Sequence, residues 1–153
     1  MLRFIDYFIV ESVIYSKPDA KRQSDEEHGE AVVQHQAIQS GNMDSPHPAI
    51  ANAISHFAQN KNAFRSALAR SKIQPVKKGT QIGNSEIGQG SNSVESKTKL
   101  KRVKRLIGSN QGLDRPIILR HKDENGQLHH HLLAGNTRAT TVGYGVQAHH
   151  IDV

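Results

Sequence analysis

The chain has 153 residues, of which 35% are hydrophobic and 5% aromatic with no Trp, enough for one ordinary domain with a lean core. Twenty Lys and Arg against 14 Asp and Glu give a formal net charge of +6. With no cysteine, disulfide frameworks, thiolate nucleophiles and Cys-ligated metal centres are excluded. No apolar run approaches the roughly 18 residues that a membrane-spanning helix requires.

The opening segment MLRFIDYFIVES places Leu2, Ile5, Phe8, Ile9 and Val13 at helical spacing, with Arg3, Asp6 and Glu11 off that stripe, and predicts a short amphipathic helix. Asp6 interrupts the apolar run and no small-x-small site follows, so a secretory signal is not expected. Residues 16–30, SKPDAKRQSDEEHGE, read as a charged flexible connector. A weak helix is expected over Ala31 to Gln39, stopped by Ser40-Gly41. Asp44 or Ser45 then offers a cap, Pro46 and Pro48 suit a first turn, and Ile50, Ala53, Ile54, Phe57 and Ala58 share one face. A second piece aligns Phe64, Ala67 and Leu68, giving a helical hairpin over residues 46–72 with its joint at Gln59-Asn60. Residues 75–93 read as a loop in which Val76, Ile82 and Ile87 could form one short strand.

From Val94 onward the pattern predicts a helix over Leu100 to Ile107, stopped at Gly108, and then a strand starting at Pro116. The Asn125-Gly126 pair between strand-like runs predicts a hairpin, with Leu128 to Ala134 as the return strand. A turn over Gly135 to Arg138, a short helix to Gly143 or Gly145, and a strand from Ala148 to Val153 complete an α+β pattern.

Charge is distributed unevenly. Residues 1–60 carry −4, residues 61–108 carry +10 and residues 109–153 carry 0. A basic middle third is an electrostatic footprint for a polyanion, with Lys97, Lys99, Lys101, Arg102, Lys104 and Arg105 as candidate nucleic-acid contacts. The same lysines also suit a solvated linker.

The sharpest constellation is Leu132-Leu133-Ala134-Gly135-Asn136-Thr137-Arg138. An apolar strand delivers the chain to a glycine, and the helix that follows presents unpaired N–H groups on which a phosphate can sit. Asn136 and Thr137 add short polar side chains, and Arg138 adds a fork able to grip phosphate bidentately. An ordinary capped turn has the same spelling. Histidine is abundant, at ten residues. Strand alternation sends His129 and His131 to one face and His130 to the other, and His149-His150 lie on another strand. Two such strands could meet as a divalent-metal site, with His129, His131 and His149 as candidates, or these residues form a polar rim.

The stretch from Arg115 to Val153, with the helix before it, resembles the amino-terminal domain of chromosome-partition ParB proteins and the wider ParB/sulfiredoxin superfamily. The resemblance covers about 55 residues. It implies a small mixed sheet with helices over residues 95–153, preceded by a helical and flexible extension with a basic linker over 12–94. It also implies that Gly135 and Arg138 touch nucleotide phosphates, with Asn136 and Thr137 between them, and that a nucleoside triphosphate with a divalent cation could be the cofactor. Thr137 stands where partition proteins carry a second arginine, and no helix-turn-helix pattern follows, so sequence-specific partitioning is not expected. Sulfiredoxin chemistry needs a cysteine in this turn. Superfamily kinases need an acidic base, for which Asp123 and Glu124 sit in a hairpin tip.

The segment 1–11 resembles the leader peptide of internal head proteins of large tailed phages, cut after a Leu/Ile-x-Glu triad; Ile9-Val10-Glu11 matches, with Ser12 after the cut. This resemblance implies residence in the host cytoplasm or virion interior. The expected function is phosphate binding, of nucleotide or nucleic acid, at the Gly-x-x-Arg turn, with no membrane partner. The alternatives are a non-enzymatic DNA-associated internal head protein, held among phosphates by counterion release, and a metal-dependent nuclease.

Overall fold

The computed structural model of the protein describes residues 13–87 and 112–153. The expected leader with Glu11 and Ser12, the expected boundary at residues 94/95 and the basic run Lys97, Lys99, Lys101, Arg102, Lys104 and Arg105 lie outside the described residues.

Three helices lead the described chain: α1 (Ala20–Ser40), α2 (Pro48–Gln59) and α3 (Lys61–Ala69). The expected flexible connector over residues 16–30 is therefore corrected, since α1 begins at Ala20 and runs through it. Its Asp19 side chain accepts from Arg22 N, and it ends on Gly41 in the left-handed region at φ 77°. The residues that α1 buries are Gln23, Ser24, Ala31 and Gln34, small or polar, so no apolar stripe advertises it. His47, rather than Asp44 or Ser45, caps α2: its Nδ1 accepts from Ala49 N at 3.1 Å, with Pro48 following. Asn60 ends α2 and starts α3, its Oδ1 accepting from Ala63 N at 3.0 Å.

The strands are β1 (Lys72–Pro75), β2 (Ile82–Gly83), β3 (Ile117–Lys122), β4 (Leu128–Ala134) and β5 (Gln147–Asp152), with α4 (Asn136–Val142) between the last two. They form one mixed sheet in the order β1-β5-β3-β4-β2. β1, which the sequence pattern did not predict, runs antiparallel along β5. The β3–β4 hairpin forms at the expected Asn-Gly, where Asp123 Oδ1 accepts from both Asn125 N and Gln127 N at 2.9 Å.

Side-chain alternation divides the core in two. On one face, Ile117, Leu119, Leu133 and Ile151 pack with Ile50, Ile54, Phe57, Phe64 and Leu68 of α2 and α3 and with Ala31 of α1. The helices and the sheet thus share one apolar cluster. On the other face, Ile118, Leu132 and Ala148 pack with Ala139 and Val142 of α4 and with Val76, Ile87, Leu113 and Val146. The architecture is mixed α+β, with four helices and a five-stranded mixed sheet among the described residues. No described helix is long and apolar enough to cross a membrane.

Candidate functional site

β4 carries Leu132, Leu133 and Ala134 into the interior and releases the chain at Gly135, whose φ is +91°. Only glycine fits there. A Cβ would lie 2.9 Å from Pro116 Cα and 2.6 Å from Arg138 Nη2, in a backbone region that L residues rarely adopt. α4 starts at the next residue, and no side chain caps its first turn. Asn136 Oδ1 accepts from Glu86 N at 2.9 Å, which orients the amide through its oxygen rather than its NH₂. Gly135, Asn136, Thr137 and Arg138 thus share the one turn expected of them.

Arg138 points differently from the expectation. Its guanidinium folds back over Gly135 and pairs with Glu27 Oε1 of α1. The two side chains are 18% and 11% exposed. Burial pushes the Glu27 carboxyl up, while the charge of Arg138 and the amide of Gln23, which donates at 2.7 Å, pull it back down. Arg138 Nε is buried without a hydrogen-bond partner among the described residues. Glu27 was missed in the sequence because 111 positions separate it from Arg138 and α1 shows no apolar periodicity.

Next to this pair lies a second one. Asp114 receives Arg22 bidentately, at 2.7 and 2.9 Å, together with the Ser16 hydroxyl. Arg22, first, and then Ser16 hold the Asp114 carboxyl below the usual range, against burial. Arg115 donates to Ser16 O at 2.8 Å and stacks over the Tyr15 ring at 4.8 Å. Ile87 and Leu113 are buried in the cluster that contains Ala139 and Val142.

The histidines separate as strand alternation requires, yet the two strands do not meet. β3 lies between β4 and β5. His131 Nε2–H donates to Gln34 Oε1 at 2.7 Å, and Gln34 in turn donates to Leu133 O at 2.8 Å. His149 Nδ1–H donates to the Ser71 hydroxyl at 2.8 Å, whose own proton goes to Leu68 O. His129 Nε2–H donates to Asp123 Oδ2 at 2.8 Å. His129, His131 and His149, the candidates for a metal site, therefore stand apart with separate partners, and among the described residues no group of three or more His, Asp or Glu that could hold a metal ion is found. His129 joins a different cluster: with His121 it packs against His47, ring centroids 4.8 and 4.6 Å apart, beside a cavity of about 300 Å³ at the hairpin tip. Asp123 is taken up there by His129 and two backbone N–H groups, which leaves it a poor base.

Comparison of the chain with protein-family models, with curated proteins and with solved structures finds no match.

Proposed function

We propose that the chain binds phosphate groups of a nucleotide or nucleic acid at the Gly135 to Arg138 turn, on a ParB/sulfiredoxin-like plan. The observation that carries this reading is an uncapped helix start beside an arginine whose Nε lacks a partner. Phosphate oxygens would accept from the first-turn N–H groups, the Asn136 amide and the Thr137 hydroxyl, while Arg138 exchanges the Glu27 carboxylate for the more highly charged phosphate. A divalent cation, where required, would arrive on the phosphates of a nucleoside triphosphate. The excess of Lys and Arg between residues 61 and 108, which carry +10, is the sequence feature that supports a polyanion as partner.

Calorimetric titration of the full chain with a nucleoside triphosphate and magnesium tests this. Binding should be saturable, and Arg138→Ala should weaken it by about tenfold or more. Absence of heat, or equal affinity in Arg138→Ala, overturns the reading. Oligonucleotide binding that falls steeply with salt yet ignores Arg138 would instead favour the DNA-associated internal head protein, with Lys97 to Arg105 as the contacts.

A further inference from the structure

A separate cavity of about 210 Å³ lies against β3, β4 and β5 near the hairpin, beneath the segment joining β1 to β2. Its polar lining is Arg120, Lys77, Thr80, Gln74, His130 and His150. Arg120 is on the central strand β3 and only 14% of its side chain is exposed. Such a guanidinium needs its donors used, because buried N–H groups without acceptors are costly. Nε donates to Asp152 Oδ1 at 2.6 Å, Nη2 to Asp152 Oδ2 at 3.2 Å and Nη1 to Gln74 Oε1 at 3.0 Å. Of the five N–H groups that an arginine carries, this leaves one on each Nη.

Charge around the cavity is unbalanced. Asp152 faces Arg120 and also receives Lys72 at 3.5 Å, so one carboxylate answers two cations, and Lys77 on the cavity wall is a third. The two imidazoles meet edge to face at 6.4 Å. Burial first, and then the neighbouring histidine and Arg120, hold the His130 ring below its ordinary pKa, while burial and then Arg120 do the same for His150. Both rings therefore hold a proton less readily than a free imidazole, and an anion in the cavity would oppose that shift.

We infer that this cavity is a phosphate-binding site, with the spare N–H groups of Arg120, the Lys77 ammonium and the Thr80 hydroxyl as its donors. The volume exceeds that of phosphate alone and leaves room for part of the group that carries it. The inference is independent of the Gly135 to Arg138 turn, since the two sites share no residue.

Imidazole NMR resonances of the full chain, titrated with inorganic phosphate, test it. Phosphate should shift His130 and His150 saturably, with an apparent dissociation constant on the order of a millimolar, and should raise their pKa. His129, tied to Asp123, should not move. Lys77→Glu, at an exposed position, should weaken the effect about tenfold while leaving the fold intact. Arg138→Ala should leave it unchanged, so failure at the turn and failure here are distinguishable. A nucleoside monophosphate binding more tightly than an oligonucleotide without terminal phosphates identifies a monoester as the occupant, and the reverse order identifies a nucleic-acid backbone. Absence of any shift, or an equal shift in Lys77→Glu, overturns the inference.

Discussion

His130 and His131 are neighbours on β4, and His149 and His150 are neighbours on β5, yet each pair is divided between two environments. His131 and His149 face the helices, are 3% and 4% exposed, and have protein partners in Gln34 and Ser71. His130 and His150 face the other way and line a polar cavity with Arg120 and Lys77. One residue of register thus moves an imidazole from the helix face to the cavity face, where the His150 ring is held by Ala148 O at 3.2 Å. The contrast also shows that histidine count alone says little about chemistry until each ring has been assigned to a face.

The largest effect that would sharpen this contrast is acid sensitivity. Burial lowers the His131 and His149 pKa values from 6.5 to about 4. Both rings hold fewer protons folded than unfolded within that window, so stability falls as pH drops from 6.5 to about 4, by about 3 kcal/mol per ring. Denaturant unfolding across this range should show the decline, and His131→Gln should lose roughly half of its slope. Equal slopes would contradict the assignment of His131.

Next in size is the Glu27–Arg138 pair, which ties α1 to α4. Arg138→Ala leaves a buried carboxylate uncompensated and should cost about 3 kcal/mol, whereas the double replacement Glu27→Leu/Arg138→Leu should recover most of that loss. Thermal melts of the three proteins decide it; a double variant no more stable than the single one would count against an ion-pair origin. Gln34→Ala should cost about 2 kcal/mol, because it strands the His131 N–H and takes a donor from the Leu133 carbonyl. At the small end, His130→Phe should change the unfolding free energy by less than about 1 kcal/mol, since the ring lines the cavity rather than tying one element to another. A loss as large as that of Gln34→Ala would erase the distinction between the faces.

Much of the second half of the chain was legible in the sequence. The Asn125-Gly126 turn, the alternation of β4 and the strand-glycine-helix succession at Gly135 are local signals, and each element forms where its residues predict. The first half was less legible for two physical reasons. α1 packs through Gln23, Ser24, Ala31 and Gln34, so its buried side carries hydrogen bonds rather than hydrocarbon, and the charged stretch that precedes Ala31 looked like a connector. β1 is an edge strand whose four residues are all exposed, and its assignment depends on the register with β5. At the turn, the glycine and its neighbours were readable, whereas the partner of Arg138 was not, because Glu27 reaches it only through the packing of α1.

In the proposed function, Arg138 serves a phosphate and is held by Glu27 until one binds. Glu27→Gln weakens that hold while retaining a hydrogen-bonding side chain, and it separates a ligand-binding arginine from a structural one. Calorimetry of this variant against the unmodified chain, with the same nucleoside triphosphate, should give binding tighter by about threefold to tenfold. Affinity that is unchanged or weaker in Glu27→Gln would contradict the account.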